Sequence, residues 1–351
     1  MKIEKPAFLQ NGQTIGVTAP SFGCTIEPYI TRFEHAQKQL QNRGYKLKIG
    51  KTVYASDGLG ISTNPKIAAK ELEEFYLNDQ IDAIISAGGG ETMCETVEHI
   101  DFEKLRGAKP KWFMGYSDNT NFIFPLATIT GVQGIYGPCV TAFGKPWAET
   151  ENYSIEILEG KRPGVCGFEK FQLPEEDEEE KDPLAPLVLN GKKVLKSFVF
   201  EGETMHAAAK EEKIMAEGIV LGGCLDVLAN ICGTKLDNVK DFNRQAEKII
   251  WIIESCDANP MEIRRQVWHL KNAGWFDKVS AFVVGRPLAS FSGEMMGVNK
   301  YNAVTDILRD FCVPVIMDAD IGHIAPTIPL VIGANAKMNV YGNNISFDFW
   351  Q

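Results

Sequence analysis

Lys111-Trp-Phe-Met-Gly-Tyr-Ser-Asp-Asn-Thr120 is the stretch that decides the fold. Residues 111–114 read as a strand, apolar from Trp112 on, Gly115 breaks it, and a helical pattern over 120–129 follows directly. A buried strand that passes through a tight turn into a helix is the repeating unit of a parallel sheet covered by helices. The same unit recurs toward the N-terminus. Residues 81–86 (Ile-Asp-Ala-Ile-Ile-Ser) read as a buried strand closed by Gly88, Gly89 and Gly90, with a helix through Thr96 to His99 after it. Residues 14–18 and 46–49 are further strands. Between them Ile30, Phe33, Ala36, Gln37 and Leu40 mark a helix that starts near Pro28 and is capped at Gly44. Thr63-Asn-Pro65 caps and starts another, with Ile67, Ala68, Leu72 and Phe75 on one face. Residues 1–150 are therefore expected to form a doubly wound α/β domain carrying Ser117.

The alternation fails after about residue 150. Residues 151–217 are expected to be a variable loop or linker, with Pro163, Pro174, Pro183, Pro186 and the acidic run Glu175-Glu-Asp-Glu-Glu-Glu180, which reads as solvated loop. Strand-like runs return over 218–221, 248–253, 281–284, 313–317 and 330–332, with an amphipathic helix over 261–273. Residues 218–351 read as a second, α+β domain.

Composition bounds the function. The chain has 351 residues, 44% hydrophobic and 23% charged, an ordinary globular balance with material for two domains. Its formal net charge of −10, with Lys and Arg interleaved among acids, argues against nucleic acid as a partner. No apolar segment follows the first Lys, no run is long enough to span a membrane, and the eight cysteines include no CxxC pair. The expectation is a cytoplasmic protein whose cysteines are reduced thiols rather than a disulfide frame or a zinc site.

Phe113-Met-Gly-Tyr-Ser117 has the strand–turn–helix setting of a nucleophile elbow, which lifts a serine Oγ above the sheet and points helix N–H groups at the developing oxyanion. It departs from G-x-S-x-G because Asn119 stands where the last Gly belongs. A plainer role fits too, with Ser117 or Asp118 capping the helix. Ser86-Ala-Gly-Gly-Gly-Glu91 matches no phosphate-loop pattern, and makes better sense as the second half of an oxyanion hole. Of the five histidines, His35 and His269 fall within helices, His99 near a helix end and His206 in the middle segment. His323 follows a strand on a Gly-flanked loop, Asp318-Ala-Asp-Ile-Gly-His323, a good position for a base. Glu254 ends the apolar run Ile249-Ile-Trp-Ile-Ile-Glu254, where a carboxylate needs a hydrogen-bonding partner. His323 is one such partner, and Arg264 or Arg265 is another.

Several segments, taken in order, resemble the LD-carboxypeptidases and the related microcin C immunity peptidases. Gly12-Gln-Thr-Ile-Gly-Val-Thr-Ala-Pro-Ser21 is similar to the family's opening strand, and Gly115-Tyr-Ser-Asp-Asn-Thr120 to its nucleophile motif. Tyr136-Gly-Pro138, Leu221-Gly-Gly-Cys-Leu225, Gly233-Thr234, the strand ending in Glu254 and Gly322-His323 follow in the family's order. The resemblance implies a Rossmann-like parallel-sheet N-terminal domain, a C-terminal domain with its own sheet, and a homodimer without metal or cofactor. It makes Ser117 the nucleophile, His323 the general base and Glu254 its orienter, with the N–H groups of Asp118 and of Gly89 or Gly90 as oxyanion hole. The activity implied is serine carboxypeptidase action on a muropeptide L,D-bond, or on an aminoacyl-nucleotide amide as in the immunity branch. A binding protein that uses the same cleft without catalysis is the reading from a different class. The muropeptide enzymes commonly carry Arg-Gly-Gly-Tyr-Gly where this chain has Ala87-Gly-Gly-Gly-Glu91, which looks nearer the immunity branch. That branch tends to place Trp in its substrate loop, and residues 182–202 contain none.

Overall fold

The computed structural model describes residues 3–174 and 182–350, so the acidic run 175–180 lies outside the described residues. Five strands build the first sheet: β1 (Thr14–Thr18), β2 (Lys46–Ile49), β3 (Ala83–Ser86), β4 (Trp112–Gly115) and β5 (Gly134–Tyr136), all parallel. Every residue of β3 and β4 is buried, as expected of parallel strands covered on both faces. Asn64 caps its helix (Pro65–Leu77) by accepting from Lys66 N–H, and Gly44 closes the preceding one (Tyr29–Asn42) at φ +93°.

Within 151–217, read from the sequence as loop and linker, the chain forms a helix (Glu149–Leu158) at its start and then β6 (Gly164–Cys166), β7 (Lys170–Gln172), β8 (Leu189–Lys192), β9 (Lys196–Glu201) and β10 (Thr204–Ala207). These strands are short and largely exposed, so they lack the alternation that would have announced them. The rest of the chain adds β11 (Lys213–Cys224), β12 (Ile249–Glu254), β13 (Val279–Gly285), a small hairpin β14 (Glu294–Met295) and β15 (Val298–Asn299), β16 (Val315–Ala319), β17 (Leu330–Ile332), β18 (Asn335–Tyr341) and β19 (Asn344–Trp350). The second sheet runs β10-β9-β16-β13-β12-β11-β18-β19-β6, with a parallel centre of β11, β12, β13 and β16 and antiparallel edges.

The two sheets exchange edge strands. β17, from the C-terminal half, leaves its own sheet and pairs antiparallel with β5, with Leu330 opposite Tyr136. β6, from the middle segment, closes the far edge of the second sheet against β19.

The helix that follows Ser117, Thr120–Pro125, is buried at all six positions and joins the two cores. Phe122 packs on Phe113 at 4.7 Å between ring centroids, while Phe124 stacks on Trp275 at 5.1 Å. Each fully buried Phe contributes about 1.5–3 kcal/mol, so the turn that carries Ser117 is anchored from both sides. The helix stops short of the expected Ile129. Pro125 has no N–H to donate back to the Asn121 carbonyl, and the chain widens into a π turn (Leu126–Thr130) ending at Gly131.

Candidate active site

Ser117 sits at the C-terminal end of β4 with φ +59°, a left-handed conformation that non-glycine residues seldom adopt. The turn is held by its neighbours. The Asp118 carboxylate is 2% exposed and accepts from Ser21 Oγ (2.5 Å), Met93 N–H (2.9 Å) and Asn121 Nδ2 (2.8 Å). Burial pushes its pKa above the usual carboxylate range, against the pull of these donors. Asn119, in place of the last Gly of the elbow pattern, donates through Nδ2 to Gly88 O (2.9 Å) and Tyr116 O (3.0 Å), tying the turn to the glycine loop.

His323 and Glu254 arrive from the second sheet. Glu254 ends β12 and is fully buried; His323 lies on the loop after β16. His323 Nε2 is 2.8 Å from Ser117 Oγ, although 206 residues separate them in sequence. His323 Nδ1 is 2.8 Å from Glu254 Oε2. The structure thus brings together all three residues singled out in the sequence. Arg264 instead pairs with Asp306 and Arg265 with Glu262, so neither meets Glu254. His35 and His269 lie in helices, and His99 and His206 lie outside the cavity.

Burial alone would raise the Glu254 pKa, but the His323 charge and hydrogen bonds from His323, Tyr136 and Cys224 hold it below the usual carboxylate value. Burial alone would lower His323, yet the Glu254 charge and contacts with Cys256 and Glu254 hold it well above an ordinary imidazole. Tyr116 tilts against the imidazole at 5.2 Å between centroids.

The glycine loop stands beside Ser117. A β-carbon built on Gly89 would come within 3.4 Å of Ser117 Cβ and 3.6 Å of Oγ, whereas one on Gly90 would run into Ser21. Gly89 is thus the closer of the two expected oxyanion-hole glycines. The N–H of Ser117 itself is taken, donating to the Tyr136 hydroxyl at 3.0 Å. Tyr136 also donates to Glu254 Oε1 at 2.5 Å. In the sequence it looks like another core aromatic, and nothing there signals this contact.

The loop carrying His323 is braced by the middle segment. The fully buried Asp320 accepts from Arg286 Nη2 (2.5 Å), Lys193 Nζ (3.0 Å) and Phe168 N–H (2.8 Å). Breaking such a buried ion group leaves uncompensated charge, so it fixes the loop as long as all partners are present.

Ser117 and His323 open into a cavity of about 470 Å³. Gln172, Leu173, Pro174 and Leu187 of the middle segment form part of its wall. Arg32 and Lys145 are the cations among the described residues lining it, and Glu91 and Glu151 the acids. Arg32 Nε donates to Pro183 O of the middle segment (2.8 Å). Trp147 lies outside this lining, with Arg43 stacked on its ring at 3.6 Å. Among the described residues no group of His, Cys, Asp or Glu is arranged to hold a metal ion, and no helix is long and apolar enough to cross a membrane.

Comparison with known proteins places the chain in a family. Residues 15–137 match the model of the LD-carboxypeptidase N-terminal domain, and residues 217–338 that of the C-terminal domain. The microcin C7 self-immunity protein MccF of Escherichia coli is 28% identical over 97% of this chain and 94% of its own length. A probable murein peptide carboxypeptidase of Bacillus subtilis (strain 168) is 27% identical over 95% of this chain and 91% of its own. A structure of MccF in complex with aspartyl sulfamoyl adenosine superposes with a TM-score of 0.78 at 26% identity, covering 99% of this chain and 98% of that one. With both domains matched in order and an α/β architecture common to these relatives, this chain belongs to the LD-carboxypeptidase family of serine peptidases.

Proposed function

We propose that this peptidase is a serine carboxypeptidase that cleaves a muropeptide L,D-bond through an acyl-enzyme, releasing a C-terminal D-amino acid. The observation that supports it is the hydrogen-bonded chain Ser117–His323–Glu254 at a walled cavity. In this reading neutral His323 takes the Ser117 proton on Nε2 while Oγ bonds to the carbonyl carbon. The carbonyl electron pair moves to oxygen, and the N–H groups of Asp118 and of Gly89 or Gly90 hold the oxyanion. Collapse breaks the C–N bond, and the proton on His323 passes to the leaving amine. A water then attacks the ester, gives its proton to His323, and leaves as part of the carboxylate while Ser117 regains its hydrogen. Glu254 stays ionised and holds the imidazole with Nδ1–H toward itself.

A substrate of this kind ends in a carboxylate, and Lys145 and Arg32 on the cavity wall are the candidate anchors. A second reading, cleavage of an aminoacyl-nucleotide amide, is favoured by the likeness to MccF, whose structures hold aspartyl sulfamoyl adenosine and glutamyl sulfamoyl guanosine. The chain is further proposed to act in the cytoplasm as a homodimer; light scattering that finds a monomer at micromolar concentration refutes the dimer.

The test is to label the protein with a fluorophosphonate, map the adduct, and assay a muropeptide tetrapeptide beside an aminoacyl-nucleotide amide. An adduct on Ser117 with release of D-alanine supports the first reading, and preference for the amide supports the second. Turnover that survives Ser117→Ala overturns both, and absence of turnover on every such substrate favours a binding protein.

A further inference from the structure

Tyr136 is 2% exposed on β5, next to Ile135 and opposite Leu330. Burying a hydroxyl there costs free energy unless both its donor and its acceptor capacity are used. Both are used, and on chemically important partners. The single hydroxyl proton goes to Glu254 Oε1 at 2.5 Å, and the oxygen accepts the Ser117 N–H at 3.0 Å. Burial, reinforced by the neighbouring Glu254 and Cys224, pushes the Tyr136 pKa well above 10, so the proton stays on the phenol.

These bonds close a ring. It runs from Ser117 N–H to Tyr136, from Tyr136 to Glu254, from Glu254 to His323 Nδ1 (2.8 Å), and from His323 Nε2 back to Ser117 Oγ (2.8 Å). Backbone and side chain of the same serine are its two ends. The first sheet supplies Ser117 and Tyr136, and the second Glu254 and the loop bearing His323.

We propose that Tyr136 is a positioning residue for the hydrolysis: its hydroxyl holds the orienting carboxylate and the backbone of the nucleophile in one register across the two sheets. The proposal rests on the triad reading given above. Two consequences follow from the geometry. With Oε1 occupied by the phenol, Oε2 is left for Nδ1–H, so the imidazole presents Nε2 to Ser117. With the Ser117 N–H committed to Tyr136, that group is withheld from the oxyanion, which falls to Asp118 and the glycine loop.

Tyr136→Phe keeps the ring and its edge contact with Tyr116 at 6.4 Å while deleting only the hydroxyl. The expected result is a fall in kcat of about 10–100-fold, the scale of one lost hydrogen bond to a charged group, with KM unchanged. Glu254 would lose a donor and become more basic, so the acidic limb of kcat/KM moves to higher pH. Site-specific 3,5-difluorotyrosine at position 136 retains the hydroxyl but makes it a stronger donor, and should move the limb to lower pH. This second variant also decides the matter if Tyr136→Phe does not fold. A wild-type kcat and pH profile in Tyr136→Phe, or an unmoved limb with the fluorinated residue, overturns the proposal. Ser117→Ala run in parallel separates the causes. If it is inactive while the Tyr136 variants behave as wild type, only the positioning role falls; if it is active, the triad falls and takes the role with it.

Discussion

Gly322 packs directly on the carboxylate of Glu254: a β-carbon at position 322 would stand 2.5 Å from Glu254 Oε2. Its φ of +103° is a second reason for glycine. The residue before the histidine must be this small for the acid to lie under the imidazole. Gly322→Ala should destabilise the fold by about 1–3 kcal/mol and lower kcat by displacing His323. Denaturant unfolding and steady-state kinetics on one preparation check both, and an unchanged kcat would show that the loop absorbs the methyl elsewhere.

Glu254→Gln replaces the charge with a neutral amide of the same shape. By analogy with loss of the orienting acid in a Ser-His-Asp triad, kcat should drop about 10⁴-fold. Ser117→Ala should abolish turnover through the acyl-enzyme. Near-normal activity in Glu254→Gln would make Glu254 a structural residue only.

Activity and stability should part company with pH. His323 must be neutral to act as base, and its pKa is raised, so kcat/KM should climb with pH along a limb lying above the ordinary imidazole value of 6.5. The His323 contribution to stability has the opposite slope. It is fully present below about pH 6.5, the unfolded value, and is lost as pH rises through the folded pKa. Glu254, with its pKa lowered, contributes stability above the ordinary carboxylate value of 4.5, lost as pH falls through its folded pKa. Thermal unfolding across pH should therefore be highest below the pH of best turnover, and His323→Gln should flatten its alkaline fall. A rate limb at or below 6.5 would contradict this.

Lys145→Ala tests the carboxylate anchor. Removing a charged hydrogen-bond donor to a bound carboxylate costs about 1.5–3 kcal/mol, so KM should rise about tenfold or more on a tetrapeptide with kcat little changed. A substrate amidated at its C-terminus should lose the same amount in the wild type and be indifferent to the substitution. Equal loss on both substrates would assign Lys145 to the packing of the wall.

The parts legible in the sequence share a physical cause. Glu254 ends an apolar strand, Ser117 lies two residues beyond one and His323 on a loop just after another, and polar residues at the ends of buried strands stand out against the apolar pattern. β3 and β4 of the first sheet were readable because burial on both faces makes them nearly continuous apolar runs, whereas the three-residue β5 gave no such signal. Tyr136 escaped for the converse reason, since a tyrosine within an apolar strand is indistinguishable from core until its hydroxyl's partners are known. β7 to β10 escaped because short strands with exposed faces carry no periodic signal. The departure of β17 to the first sheet was hidden too: three buried residues, Leu330-Val-Ile332, announce a strand but not its neighbour.

The pairing of β17 with β5 also governs the order in which the protein can be made. A ribosome releases Gly134–Tyr136 long before Leu330–Ile332, so the first sheet emerges with one edge bare and its hydrogen-bonding groups unpaired. Glu254 and then His323 follow far behind Ser117, and the hydrogen-bonded chain of the three cannot assemble on a growing polypeptide until nearly all of it has been translated. Contacts this distant in sequence make for slow folding. Under the proposed mechanism the partly synthesised chain is inert as a hydrolase, and until β17 arrives β5 is an unpaired strand edge of the kind that can recruit another chain.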